Sequence, residues 1–144
     1  MALTNLQSRN VSIWKCNSVY PKEAPFHPSE RYPEYPFDDT SKGSNSVYDA
    51  VRESLRLLYL DDRNYRKTKW NPLRGLIEPG DHVLLKPNLI RESHSSRHDE
   101  WQQVITHPSI IRVMLDYVYI ALKGSGRVTI ADGPQTDSDF NEIV

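Results

Sequence analysis

The stretch that decides the fold reads HVLLKPN at residues 82–88 and RVTIADGP at residues 127–134, with one helical segment between the two. Each part begins as a short apolar run, which is typical of a β-strand, and then ends in a polar turn, KPN at 86–88 or DGP at 132–134. In a parallel sheet both turns would project from the same edge, where open α/β folds bind their ligands. The sequence therefore predicts a candidate site at this edge, without identifying a reaction.

The segment between the two runs has the pattern of a crossover helix. Residues 106–108 are a typical helix start, with Thr106 as the expected N-cap and a proline in the first turn. Apolar residues recur at helical spacing over 110–122, and the Lys-Gly pair at 123–124 is a typical helix end. We therefore expect a βαβ unit with a right-handed crossover.

Upstream of this unit the sequence predicts one more strand and one more helix. Residues 11–16 alternate like a strand that has both faces partly buried, and residues 46–60 have the spacing of a surface helix that begins with a capping box at Ser46. Residues 61–71 are polar and basic. We interpret them as a solvated connector and not as a nucleic-acid patch, because the total charge is close to neutral. Residues 140–144 resemble the first turn of a further helix.

Residues 20–44 form an arm that is rich in proline and aromatic residues. Five prolines between Tyr20 and Phe37 remove backbone donors and hold the chain extended, so we expect a loop. Similar proline spacing occurs in polyproline ligands, but the interleaved aromatic rings favour an arm that packs on its own domain or on a partner subunit. Self-association through this arm is therefore one expected form of partnership.

Length and composition narrow the class of protein. A chain of 144 residues fits one α/β domain, and 18 basic against 19 acidic residues leave a net charge of −1, which gives no field to attract nucleic acid or an anionic membrane. The single cysteine, Cys16, can form neither an internal disulfide nor an iron–sulfur cluster. Because the sequence shows no leader-like start and no apolar run of membrane-spanning length, we expect a cytoplasmic protein.

Five side chains are candidates for ligand binding at the predicted sheet edge: Lys86, Asn88, Thr106, His107 and Asp132. A lysine there can hold a phosphate or carboxylate, or act as a base if burial lowers its pKa, and an asparagine can present its amide to the same ligand. The threonine and histidine stand at a helix amino end, where free amides favour an anion. Each residue also has a plain structural interpretation as an exposed lysine, an Asx-turn, an N-cap or a turn carboxylate.

Two weaker patterns could hold a metal ion. Asp132 with Asp137 or Asp139 offers hard oxygen ligands, although turn and helix-cap roles explain these carboxylates better. His94 and His98 have the i,i+4 spacing of two ligands on one helix face, but their surroundings lack apolar periodicity and no third ligand is evident. The sequence therefore identifies no cofactor.

Taken together, residues 83–89, the helix start at 106–108 and residues 127–134 resemble a bacterial and archaeal family called domain of unknown function 362 (DUF362). In that family a strand ending in Lys-Pro-Asn leads to a Thr-x-Pro-like helix start, and a second strand ends in a small acidic loop. The likeness covers residues 78–144, and it implies a Rossmann-like partial parallel sheet in a prokaryotic protein, with a site at the five residues named above. Some members carry iron–sulfur motifs of clustered cysteines, which this chain lacks.

The resemblance implies no reaction, and the family members are longer, so we expect a single α/β domain over residues 1–144 that is truncated at its carboxyl end. Three functions remain open. In the first, the chain binds a small anionic metabolite at the strand edge, as an enzyme or part of one. Alternatively, it is a non-catalytic interaction protein whose arm packs on a partner, or an inactive truncated fragment with an uncovered sheet edge.

Overall fold

The computed structural model describes residues 9–16, 19–94, 96–97, 101–102 and 104–143. Its elements in chain order are α1 (Ser46–Leu57), a 3₁₀ turn (Asp62–Asn64), β1 (His82–Leu85), α2 (Pro108–Leu122), β2 (Arg127–Ile130) and α3 (Phe140–Ile143). The two strands pair in parallel, with His82 opposite Arg127 and Leu85 opposite Ile130. The fold is therefore mixed α/β, and the predicted strand–helix–strand order at residues 82–130 is confirmed.

The crossover helix α2 packs against both α1 and β1 because one side of it is strongly apolar. Its buried residues include Val113, Tyr117, Val118 and Leu122, and these form the centre of the core. Lys123 then adopts a left-handed backbone conformation with φ of 52°, which ends the helix one residue before the predicted glycine. The predicted bounds of this helix are confirmed.

The cap residue of each long helix differs from the predicted one. The helix begins at Ser46 as predicted, but the predicted capping role of Ser46 is wrong, because the N-cap is Asn45, whose Oδ1 accepts from the amide of Tyr48 at 3.2 Å. The Nδ2 of Asn45 also donates to the carbonyls of Phe26 and His27, at 3.0 Å each. Asparagine can accept and donate at once, whereas serine has too few donors to do the same. The Asn45 side chain therefore caps the helix and holds the arm.

The end of α1 and the connector that follows also differ from the expectation. The helix ends at Leu57 and not near residue 60, and Tyr59 has a positive φ of 56°. The connector is not a solvated segment throughout, since Trp70 has no exposed surface and donates to the carbonyl of Leu60 at 3.0 Å. The carboxylate of Asp61 accepts from the amide of Asn71 at 2.9 Å, which folds the connector back onto the core.

The arm packs on the fold of its own chain. Tyr32 and Tyr35 are buried in the same core cluster as Trp70 and Tyr117. Glu34, between these two tyrosines, is 5 % exposed and receives two hydrogen bonds from the guanidinium of Arg52 on α1, at 2.7 and 3.2 Å. The hydroxyl of Tyr117 on α2 donates to the same carboxylate at 3.1 Å. One buried carboxylate thus connects the arm to both long helices.

The prediction of a strand over residues 11–16 is wrong. The structure assigns no strand to this described segment, and the side chains of Val11 and Ile13 are 83 % and 84 % exposed. An alternating apolar pattern forms a stable strand only where a neighbouring edge and a face to cover are available. Within the part of the chain that the structure describes, the sheet consists of β1 and β2 and does not take up this segment.

Within the described residues, one face of the sheet packs against α2 and the other is exposed. Val83, Leu85 and Val128 pack against the core cluster, whereas Leu84 on the other face is 61 % exposed. None of the helices described here has the length and apolar composition needed to cross a bilayer.

Gly126, directly before β2, lies against the backbone directly before β1. Its φ is 130°, and a Cβ at this position would lie 2.5 Å from the carbonyl oxygen of Asp81. We expect Gly126→Ala to lower the free energy of unfolding by about 1–3 kcal/mol, because alanine is strained at this φ and displaces the neighbouring backbone. Urea denaturation followed by circular dichroism measures the loss.

Gly43→Ala is the matched control, since a Cβ there meets nothing within 4 Å and the backbone is not in the left-handed region. Equal stability of the two variants would contradict the assigned role of Gly126.

The Glu34–Arg52 pair gives a second prediction. Burial alone disfavours a charged guanidinium, but the hydrogen bonds to Glu34 outweigh it and raise the pKa of Arg52 above its ordinary value. Arg52→Leu leaves Glu34 buried without its cation, so we expect a loss of about 3–5 kcal/mol in urea denaturation. Arg56→Leu, which breaks an ion pair with Glu53 on the outer side of the same helix, serves as the control and should be far milder.

Candidate functional site

The carboxyl ends of β1 and β2 are joined by an ion pair. The ammonium of Lys86, directly after β1, lies 2.7 Å from Oδ1 of Asp132, which follows β2. The Lys86 side chain is 60 % exposed, whereas that of Asp132 is 6 % exposed. Oδ2 of Asp132 also accepts from the amide of Leu89 at 2.7 Å. The carboxylate is thus held from two sides and orients the exposed amine above the sheet edge.

Asn88 and Thr106 complete this cluster. Asn88 accepts a hydrogen bond from the Lys86 ammonium on its Oδ1 at 3.2 Å. Its backbone amide donates to Oγ1 of Thr106 at 2.9 Å, and the Thr106 amide donates back to the Asn88 carbonyl at 2.7 Å. The structure therefore brings together four of the five predicted residues, since parallel pairing aligns the two strand ends and Pro87 directs the chain out of the ladder.

Among the described residues, two acceptors bond the Lys86 ammonium, which leaves one of its donors for a ligand. The hydrogen bond from the Lys86 ammonium, supported by that from the Leu89 amide, lowers the pKa of Asp132 below its ordinary value. An ammonium has three N–H donors. Asp132 and Asn88 accept from two of them. The third can be directed to a ligand on the exposed side.

His107 lies apart from this cluster. Its ring stacks on Tyr20 with centroids 4.2 Å apart and on Trp101 at 5.5 Å. Nδ1 accepts from the amide of Ser109 at 3.2 Å, so His107, and not the predicted Thr106, is the N-cap of α2. The hydroxyl of Thr106 is instead used by Asn88. Among the described contacts of the His107 ring, none is with Lys86, Asn88 or Asp132, and its capping bond occupies an amide that an anion would need.

The contacts described for the predicted metal ligands are with other groups. Asp137 lies 3.9 Å from Arg91, and Asp139 accepts from the amide of Asn141 at the start of α3. His94 accepts from the amide of Ser96, and His98 lies outside the described residues. No group of three or more histidine, cysteine or acidic side chains able to hold a metal occurs in the part of the chain that was described.

A small cavity of about 160 Å³ opens beside Lys86. Pro87 and Thr106 line it from the loops, and Ile110, Ile111 and Met114 line it from the first turns of α2. Its wall is therefore mainly apolar, with the Lys86 side chain at its margin. The sequence did not lead us to predict this wall. Its signal lies in the positions of α2 near Pro108, which are apolar although they are only half-buried.

Sequence reasoning also missed the buried charges under the arm. Arg52 lies four residues after Tyr48 and three before Leu55, on the face of α1 that is otherwise apolar. A lone arginine on an apolar face signals a buried acidic partner, here Glu34. Asp116 on α2 is similarly buried, and this burial raises its pKa above the ordinary value despite hydrogen bonds from Arg112 and Tyr48.

Comparisons with protein families, curated proteins and solved structures found nothing that matches this chain. The likeness to DUF362 therefore stays a prediction.

His107 gives a prediction for pH dependence. Burial lowers its pKa below the ordinary value of 6.5, so below that value the unfolded chain binds the proton more tightly than the folded one does. Its contribution to stability is complete above about pH 6.5 and is lost as the pH falls toward the folded-state pKa. We expect the urea concentration at the unfolding midpoint of the wild type to decrease as the pH is lowered from about 7 to about 5.

His107→Asn tests this assignment, because asparagine also caps a helix but does not titrate. The variant should lose less stability than the wild type over the same pH interval. His82→Asn is the control, since His82 is exposed on the open sheet face and bonds Thr129 at 2.8 Å. Parallel pH curves for His107→Asn and the wild type would refute the prediction.

Proposed function

We propose that the protein binds a small anionic ligand at the carboxyl edge of β1 and β2, with the Lys86 ammonium as the ligand's cation. The observation that carries this proposal is an exposed amine held in a defined position by Asp132 and Asn88. Mobile surface lysines lose side-chain entropy when they bind, whereas an amine that is already oriented loses less. No reaction is assigned to the site.

The sheet edge supports the same proposal. Ligands of open parallel sheets bind outside the carboxyl ends of the strands, and both turns of this site lie at that end. A Rossmann-like arrangement and membership in DUF362, as the sequence resemblance implies, agree with a site here and add no substrate. Asp132 partly neutralises Lys86. Simple anions should therefore bind weakly.

The alternative of a non-catalytic interaction protein draws on the aromatic arm. In the structure Tyr32 and Tyr35 are already buried against the chain's own helices. Their rings are not available to a partner unless the arm detaches and the Glu34–Arg52 pair separates. The strand-edge proposal needs no such rearrangement, and we therefore place it first.

Substitution of Lys86 tests the proposal. We expect Lys86→Met to weaken the binding of acetate and of phosphate at least fivefold, because it removes the ammonium that would hold the anion. Titration at constant ionic strength, followed by the amide ¹H–¹⁵N shifts of Leu89 and Gly133, measures both the affinity and the location. In the wild type these amides should shift more than those of α1.

Lys67→Met is the matched control, because Lys67 is also exposed and bonded, to the carbonyl of Arg63 at 2.7 Å. Its affinity for both anions should equal that of the wild type. Unchanged binding in Lys86→Met, or shifts of the same size at α1 and at the sheet edge, would overturn the proposed function.

A further inference from the structure

A second, larger cavity lies along the outer side of the two long helices. This α1–α2 groove has a volume of about 440 Å³. Val51 and Leu58 line it from α1 and its end, Ile110 and Met114 line it from α2, and Trp14 and Tyr20 line it from the amino-terminal segment. None of the described residues that line it carries a charge. The groove is therefore suited to an apolar group and not to a polar peptide.

The groove and the cavity beside Lys86 share two lining side chains. Ile110 and Met114 line both spaces, and these residues are four positions apart, about one turn or roughly 6 Å along α2. Among the described residues that line either space, Lys86 is the only charged one. The two spaces together thus offer an apolar track with a single cation among its described lining residues, and their combined volume falls within the roughly 300–1,000 Å³ of ligand pockets.

The polar end of this track cannot supply much affinity by itself. Lys86 is 60 % exposed and already paired with Asp132, so solvent and the neighbouring carboxylate both weaken its attraction for an anion. Burial of apolar groups of the ligand contributes more to the binding free energy than this paired amine does. Each buried CH₂ contributes an amount that tightens binding about fourfold. A ligand that uses the whole track would therefore owe most of its affinity to an alkyl chain.

We propose that the anion bound by this protein is a monocarboxylate with an unbranched alkyl chain, that is, a fatty acid. Its carboxylate accepts the third N–H of Lys86, and its chain passes over Ile110 and Met114 into the α1–α2 groove. This inference rests on the proposed function, because it uses the same cation. It adds the chemical class of the ligand and a second part of the surface.

A chain-length series measures the inference directly. Isothermal titration with butanoate, hexanoate, octanoate and decanoate, all below the concentration of micelle formation, should show a Kd that falls about fourfold for each added CH₂ until the groove is full. Decanol and decyltrimethylammonium have the same chain with no charge or a positive charge. Both should bind at least fivefold more weakly than decanoate.

Variants separate the two ends of the track. Lys86→Met should make decanoate and decanol bind equally. Ala50→Phe places a ring into the groove from α1 and should reduce the binding of decanoate at least tenfold while leaving that of acetate unchanged. Arg56→Phe adds a ring to α1 on the side opposite the residues that line the groove, and it should bind decanoate like the wild type. A thermal melt of each variant confirms that it folds.

The single thiol provides an independent readout. Cys16 is partly exposed and lines the groove, so decanoate should slow its reaction with a thiol reagent, whereas acetate should not. This protection should disappear in Ala50→Phe.

The outcomes distinguish this inference from the proposed function. If Kd is the same for butanoate and decanoate and both are lost in Lys86→Met, the inference is wrong and the strand-edge site stands. If decanol binds as tightly as decanoate and Lys86→Met changes neither, both the fatty-acid assignment and the role of Lys86 are overturned. Absence of binding by any member of the series also overturns the inference, and the acetate and phosphate titrations then decide the proposed function alone.

Discussion

The buried ion pair between Glu34 and Arg52 is the interaction on which the rest of the structure depends. Both side chains are almost completely removed from solvent, at 2 % and 6 % exposure. Separately, each would be very unfavourable in the core, so the pair requires that the arm, α1 and the Tyr117 hydroxyl of α2 be in place together. The guanidinium also lies over the rings of Tyr32 and Trp70, at 4.2 and 5.1 Å. A proline-rich loop thereby becomes part of the core.

The carboxyl edge of the sheet combines a structural and a proposed binding role in the same residues. Asp132 ties the loop after β1 to the end of β2, through Lys86 and the Leu89 amide. An aspartate in this position keeps the amine in place and also lowers its attraction for anions. Because the paired amine attracts anions only weakly, a ligand bound here would owe most of its affinity to the apolar surface of α2.

The strand–helix–strand unit and most of the candidate site follow from local sequence, whereas the caps, the arm and the connector do not. Lys86 and Asp132 could be placed together because parallel strands align their ends, and no other information was needed. By contrast, the choice of Asn45 over Ser46 depends on the carbonyls of Phe26 and His27, which only the folded arm brings near. Trp70 could not be placed, because its position depends on contacts with Tyr117, far along the chain. His107 was predicted to lie at the site because it follows Thr106 in the sequence, but its ring stacks on Tyr20 instead.

The arm and some of its partners lie far apart in the sequence, so their contacts cannot form until the later part of the chain has been synthesised. The hydrogen bond from Tyr117 to Glu34 spans 83 residues, and the one from Arg112 to the carbonyl of Pro25 spans 87. Contacts of such long range form late and slow the folding of a domain. The α2 segment must therefore emerge from the ribosome before the arm and α1 can complete their packing. Until that moment the packing of the arm is incomplete, and chaperones can reach its exposed aromatic side chains.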